Sequence, residues 1–164
     1  MWHVAQLNVA RAVAPLDSPV LAEFMAALDR VNALADASPG FVWRLQSASG
    51  NATDVRLWGD AQLIANMSVW SSVDALFDYV YRTAHNAVMI RRREWFERPA
   101  EAHQALWWVP AGHTPQLGEG LERLAHLRAH GPSAHAFTFK QRFDAPISAP
   151  DRDATPASRS DPSW

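Results

Sequence analysis

The chain has 164 residues, 48% of them apolar, and a formal net charge of −2 at pH 7. This length and apolar content suit one domain with its own core, and the lack of a basic surplus argues against a nucleic-acid partner. The sequence contains no cysteine, which excludes disulfides, thiolate metal sites and thiol nucleophiles. No apolar run approaches the ~20 residues of a membrane helix, so we expect a cytoplasmic protein without membrane contact.

The first half of the chain alternates between strand and helix patterns. Apolar and polar side chains alternate with a period of two over residues 3–10, which is typical of a strand. After Ser18, a favourable N-cap, residues 20–37 carry apolar side chains at helical spacing. The period of two returns over 41–46 and 63–70, which predicts two further strands.

The second half of the chain continues with helices and one more strand. Ser71 and Asp74 resemble a capping box, with Ser71 as the N-cap of a helix that continues to residue 96 with a break near Thr83. Composition predicts a disordered tail rich in Pro, Ser, Ala and Asp. The remaining elements are a strand at 105–109, a helix at 116–129, a short edge strand at 137–139 and the tail at 144–164.

The order of these elements predicts an α+β fold: strand, helix, strand, strand, helix, strand, and an appended C-terminal helix. This is the βαββαβ order of ferredoxin-like folds, and we assign the domain to residues 1–143. In this prediction the helices cover only one face of the sheet. An open face with apolar residues needs a partner, and a twofold homodimer is the commonest solution.

Five segments spread over residues 2–143 resemble the bacterial family of unknown function numbered 3291. The resemblance implies a dimeric α+β barrel, and it implies no reaction because the family is named for lacking one. The segments are AQLNVAR at 5–11, SPGFVWRLQ at 38–46, NMSVWSSVDAL at 66–76, FDYVYRTAHNAVMIRRREWF at 77–96 and LWWVPAGHTP at 106–115.

A more local similarity links the chain to ferredoxin-like monooxygenases of the heme-degrading and antibiotic-biosynthesis types. The heme-degrading enzymes carry an asparagine on the first strand, a strand that ends in tryptophan, and a histidine in an Ala-His-Asn setting that ligates heme iron. Asn8, Trp70 and His85 match these positions, and Tyr79 stands where that family has a second tryptophan. The resemblance implies a heme held by His85 as iron ligand, with Trp70 and Tyr79 beside it; the helical spacing adds Arg92 as a further heme-binding residue.

On the predicted helix, His85 is the residue best suited to bind a metal or to transfer a proton. On an uninterrupted helix Tyr81, His85, Val88 and Arg92 share one face, so Tyr81 and Arg92 would flank a ligand bound at His85. Three roles stay open for His85: iron ligand, acid–base or substrate-contacting group, and packed structural residue. The arginines of 91–93 point around the helix rather than forming one patch, and a single guanidinium fork suits a carboxylate or propionate.

A second group of side chains with polar atoms lies on strands that are otherwise apolar: Asn8, Asn66, Ser68 and Trp70. If the strands are neighbours, these side chains converge with His85 on a small-molecule cavity, in which Asn8 would donate to bound dioxygen or polarise a carbonyl. The alternative is a buried hydrogen-bond network that fixes strand register.

Three functions follow as alternatives. The first is a small-molecule, monooxygenase-like oxidoreductase that depends on heme, with His85 as ligand and Asn8 as distal polar group. The second is a cofactor-free monooxygenase or isomerase for a polycyclic or quinol-like substrate, with His85 and Tyr81 in acid–base roles. The third is a non-enzymatic homodimer that binds an apolar or aromatic ligand.

Overall fold

The computed structural model describes residues 1–50, 52, 53, 55 and 57–147, so most of the predicted tail at 144–164 lies outside the described residues. Its strands form one antiparallel sheet in the order β2–β3–β1–β4. Their bounds are Trp2–Arg11 for β1, Phe41–Arg44 for β2, Leu63–Trp70 for β3 and Gln104–Pro110 for β4.

Four α-helices and two 3₁₀ turns complete the described fold. None of the described helices is long and apolar enough to cross a membrane. The element order and the antiparallel strand order confirm the predicted ferredoxin-like α+β fold with an appended helix. The helices are α1 Ala22–Asp36, α2 Val73–Arg82, α3 His85–Arg91 and α4 Leu117–His130; the turns are Pro19–Leu21 before α1 and Arg92–Glu94 after α3.

Both faces of the sheet are covered by helices of the same chain, which corrects the prediction of one open face. Helices α1, α2 and α3 lie over the face that carries Gln6 and Asn8. Helix α4 packs on the opposite face, where a Cβ added to Gly120 would lie 3.0 Å from Sδ of Met67 and 3.3 Å from Cβ of Leu7. Leu7 and Met67 are fully buried within one chain. The homodimer therefore stays a prediction, and the open sheet face from which it was predicted is covered by α4.

Two boundaries differ from the predictions. Helix α2 is capped by Ser72, whose side chain accepts a backbone N–H of the first turn, and not by Ser71. The N–H of Ser71 donates to the carbonyl of Gly40 at 2.7 Å instead, and this bond ties the end of β3 to the start of β2. The segment 137–139 makes a single bridge with Leu106 in place of the predicted edge strand.

The predicted break near Thr83 separates α2 from α3. The backbone of Thr83 is extended, with φ −114° and ψ −177°. Its Oγ1 donates to the carbonyl of Tyr79 at 2.6 Å and accepts the backbone N–H of His85 at 3.2 Å. One hydroxyl thus satisfies the end of one helix and the start of the next, and it makes His85 the first residue of α3.

Candidate functional site

Two adjoining cavities lie between the sheet and helices α1, α2 and α3, with volumes of about 140 Å³ and 260 Å³. The smaller cavity has mainly apolar walls, which include Phe24, Leu28, Val88 and Trp95. The larger one lies over the polar part of the sheet. Because the two volumes share lining residues, we treat them as one site. The shared polar residues are Asn8, Asn32, Arg44, Asn66, His85 and Arg92.

The floor of the larger cavity is a polar row that crosses three strands. Asn8 on β1 lies directly opposite Asn66 on β3 and Gln104 on β4. Beside this row, Nε2 of Gln6 donates to Oδ1 of Asn66 at 3.1 Å and to Oγ of Ser68 at 3.0 Å, and its Oε1 accepts Nε2 of Gln104 at 3.4 Å. Gln6 is buried, and these bonds satisfy its amide. The network fixes the register of the three strands around Asn8.

The side chain of Asn8 stands out within this row, since it makes no hydrogen bond to a described residue while its neighbours bond to one another. Asn8 lines both cavities. An amide can offer two N–H donors and one carbonyl acceptor. Asn8 is therefore free to hydrogen-bond a molecule in the cavity.

His85 is held in one tautomer by the end of helix α2. Its Nδ1 lies 3.2 Å from the carbonyl of Val80, a group that can only accept, so Nδ1 carries the proton. Val80 belongs to the last turn of α2, where carbonyls have no partner within the helix. Burial lowers the pKa of the His85 imidazole below its ordinary value, so the ring is neutral at pH 7. Its Nε2 therefore presents a lone pair and has no partner among the described residues.

Tyr79 and Trp70 brace the ring of His85. The rings of Trp70 and Tyr79 stack at 4.9 Å, and Tyr79 contacts the imidazole at 4.8 Å between centroids. The Tyr79 hydroxyl donates to the carbonyl of Val31 at 3.2 Å, and burial raises its pKa well above the ordinary value. The indole N–H of Trp70 donates to Oγ of Ser68 at 2.9 Å. Both aromatic rings are thus packed within the chain, and their polar groups are hydrogen-bonded there.

Tyr81 is separated from the other predicted site residues by the break at Thr83. Its side chain is 41% exposed, and its ring packs on Phe77 and Phe139 at centroid distances of 4.7 Å and 5.7 Å. It reaches only the larger cavity. The single helical face expected for Tyr81 and His85 does not form, because the two residues belong to different helices.

Arg92 lies where the two cavities meet. It is partly buried, and its Nη1 donates to Nε2 of His103 at 3.0 Å. Burial lowers the pKa of both groups, and the Arg92 charge also lowers that of His103, so His103 is a neutral acceptor. The neighbouring Arg91 is exposed and ion-pairs with Glu23 and Glu94. Consecutive arginines thus have separate environments, as the helical spacing predicts.

A heme does not fit this site. The unpaired Nε2 of His85 is a suitable iron ligand, but an apolar cavity of about 150 Å³ holds one benzene ring. By that measure even the two adjoining cavities together are too small for a macrocycle of four pyrrole rings. The cavities here measure about 140 Å³ and 260 Å³. Trp70 and Tyr79, which the resemblance places beside the macrocycle, are stacked on each other. We therefore derive no chemistry through heme.

A histidine cluster lies elsewhere, on α4 and the segment after it. One potential ligand atom from each of Glu122, His126 and His135 lies within 4.8 Å of the others. Nδ1 of His135 accepts from Arg123 at 2.6 Å, and its Nε2 contacts the Glu122 carboxylate at 2.9 Å. Both nitrogens of His135 are therefore engaged in hydrogen bonds within the chain.

Sequence reasoning did not identify several polar residues that complete the site, among them Gln6, Asn32, Arg44, His103 and Gln104. Gln6 had a usable signal, because it shares the strand face of Asn8. His103 and Gln104 become neighbours of the site only through the pairing of β4 with β1, which sequence periodicity does not specify.

Solved structures resemble this chain at low identity. SnoaB, a cofactor-independent oxygenase from Streptomyces nogalater, is 18% identical at a TM-score of 0.47, over 70% of this chain and 97% of that chain. A protein from Chloroflexus aurantiacus, provisionally described as an antibiotic biosynthesis monooxygenase, is 15% identical at 0.44, over 68% and 97%. Rv0793 from Mycobacterium tuberculosis is 16% identical at 0.43, over 70% and 99%. Likeness at this level concerns the fold and carries no argument about chemistry.

Curated proteins provide no match to this sequence. A family model does match: the one described as "Domain of unknown function (DUF3291)", over residues 3–153. The match covers most of the chain and every cavity residue named above. The chain belongs to the DUF3291 family.

Proposed function

We propose that this protein is a cofactor-free, monooxygenase-like enzyme that oxidises a small phenolic substrate, with His85 as general base. The observation that carries the proposal is the arrangement of His85. Its Nδ1–H is fixed on the Val80 carbonyl, and its Nε2 is unprotonated and unpaired at the edge of a cavity. A fixed neutral imidazole with a free lone pair is suited to removing a proton near pH 7.

The cavity supports a substrate of one or two aromatic rings. Its smaller part is apolar and, at about 140 Å³, matches one ring. Its larger part supplies the amide of Asn8, which can donate to an oxygen atom that gains negative charge. This pattern of apolar walls with a few polar groups is typical of small-molecule sites.

The reaction needs dioxygen as its only co-reactant. The phenolic proton passes to Nε2 of His85, and the resulting phenolate is electron-rich enough to react with dioxygen. One oxygen atom forms a new C=O bond at a ring carbon, while the O–O bond and the C–H bond of that carbon break. The ring hydrogen and the phenolic proton leave with the second oxygen atom as water. A phenol and dioxygen thus become a quinone and water, and the substrate supplies all the electrons.

Oxygen consumption with 2-naphthol tests the proposal. We expect the wild type to consume dioxygen and form a naphthoquinone that contains one atom of ¹⁸O from ¹⁸O₂. His85→Ala should lower the rate by about 10²- to 10⁴-fold. The control is His113→Ala, since His113 is exposed and pairs with Glu119 on the α4 side. Equal rates for wild type and His85→Ala, or no turnover by the wild type, would overturn the proposal.

A further inference from the structure

The charge of the cavity is unbalanced. No carboxylate lines either cavity among the described residues, whereas Arg44 and Arg92 line both. Arg44 is neutralised by Asp36, with Nε to Oδ1 at 2.8 Å and Nη2 to Oδ2 at 3.2 Å. Arg92 is left with the neutral imidazole of His103. The uncompensated positive charge of the site therefore belongs to Arg92.

This lack of a counter-ion sets Arg92 apart from comparable arginines. Of the described arginines that are not exposed, Arg11 pairs with Asp60, Arg44 with Asp36 and Arg123 with Glu122, and Arg92 alone has no carboxylate. Removing a guanidinium from water costs free energy unless an anion or good acceptors compensate for it. An arginine kept in this state within a cavity is suited to an anion that arrives with the ligand.

The acceptor His103 also orients the guanidinium. Nη1 of Arg92 is engaged by Nε2 of His103 at 3.0 Å, so the remaining N–H groups are available to the cavity. A guanidinium offers five donors in a planar fork that matches the two oxygens of a carboxylate. The chemistry of the fork favours a planar carboxylate over a single-point acceptor.

We propose that the substrate carries a carboxylate, which Arg92 binds while His85 takes the phenolic proton. The inference rests on the proposed function, because it names the substrate class of the same site. His85 and Arg92 are seven residues apart, which is about 10 Å of helical rise. Base and anchor therefore contact different parts of the substrate. A two-ring hydroxyaryl carboxylate with its hydroxyl and carboxylate at opposite ends fits this arrangement.

Binding of three matched probes tests the inference. The probes are 6-hydroxy-2-naphthoate, its neutral carboxamide and 2-naphthol, and their affinities are measured by isothermal titration calorimetry with the full chain. A charge-assisted hydrogen bond predicts that the wild type binds the carboxylate about ten- to a hundredfold more tightly than the carboxamide. This comparison needs no variant. Equal affinity for carboxylate and carboxamide would overturn the inference and leave the proposed function standing.

Variants of Arg92 separate the anchor from general surface charge. Arg92→Met keeps the apolar stem and should abolish the preference for the carboxylate while 2-naphthol still binds. Arg92→Lys should restore part of the preference, because a lysine supplies the charge without the fork. The control Arg91→Met removes an exposed arginine already paired with Glu23 and Glu94, and the preference should persist. Loss of the preference in Arg91→Met would show that the preference for the carboxylate comes from the overall positive charge of the helix and not from Arg92. That result would overturn the inference.

The outcomes for the two proposals differ. If the carboxylate binds tightly and Arg92 is needed, but dioxygen consumption does not depend on His85, the carboxylate site at Arg92 stands and the proposed function, with its role for His85, fails. If 2-naphthol is oxidised with dependence on His85 and the carboxylate brings no preference, the inference fails alone. If none of the three probes binds, both are overturned.

Discussion

Truncation of Ser68 measures how much the network beneath the cavity contributes to stability. Oγ of Ser68 accepts Nε2 of Gln6 at 3.0 Å and the indole N–H of Trp70 at 2.9 Å, and all three residues are buried. In Ser68→Ala the Gln6 amide keeps its bond to Asn66, but its second N–H and the Trp70 N–H both lose their acceptor. Each orphaned buried donor costs about 1–3 kcal/mol of unfolding free energy.

Urea denaturation followed by tryptophan fluorescence and circular dichroism measures this loss. We expect a lower midpoint at unchanged slope and a melting temperature lower by roughly 2–4 °C per kcal/mol for a chain of this size. Ser49→Ala, in an exposed loop, is the control and should stay within about 0.5 kcal/mol of the wild type.

A double-mutant cycle measures how much of the loss comes from the orphaned indole. Trp70→Phe removes the donor, so Ser68→Ala should cost less in that background than in the wild type, by about 1 kcal/mol or more. Additive losses would refute the assignment to this hydrogen bond. A Ser68→Ala protein as stable as the Ser49→Ala control would refute the importance of the network.

Three further predictions concern a turn, a proton and a cofactor. Gly40→Ala should lower the unfolding free energy by about 1–3 kcal/mol more than Gly112→Ala in urea titrations: both glycines have positive φ, but a Cβ at Gly40 would lie 2.6 Å from Cβ of Ala75, and Gly112 has open space. Only the neutral form of His85 acts as base, and burial lowers its pKa below the ordinary 6.5. The log of kcat/KM for 2-naphthol should therefore rise with pH and level off, with a midpoint below 6.5; a flat profile would contradict this role. Hemin titration followed by visible absorbance should give no stoichiometric Soret band sensitive to His85→Ala, and such a band would restore the heme hypothesis.

The fold was predictable because hydrophobic period is a local property. Strand β3 has the predicted bounds, Leu63–Trp70, because its alternation is uninterrupted. The placement of α4 was not predictable in the same way. Its apolar residues show that one side of the helix is buried, but they do not say which face of the sheet it covers; the structure does, with Gly120 close against Leu7 and Met67. The open face was therefore wrongly predicted from element order alone.

The candidate site, like the fold, could be predicted only in part from the sequence. Asn8 and His85 could be identified as polar groups at positions suited to a cavity, and both line it. The protonation of His85 depends on a carbonyl left unpaired by the break at Thr83. The isolation of Arg92 depends on the absence of a carboxylate from the described cavity lining. These are properties of three-dimensional neighbours, which spacing along a single sequence does not record.

The alternation along β1 divides its side chains into two groups with different tasks. Leu7 belongs to the core beneath α4, whereas Gln6 and Asn8 form the polar floor of the cavity. A substitution on one face leaves the other face in place, so packing and ligand chemistry can change independently. An insertion or deletion of one residue in β1 has no such freedom, because it would turn the amides toward α4 and the core side chains toward the ligand. This strand therefore tolerates replacement on either face far better than any change in its length.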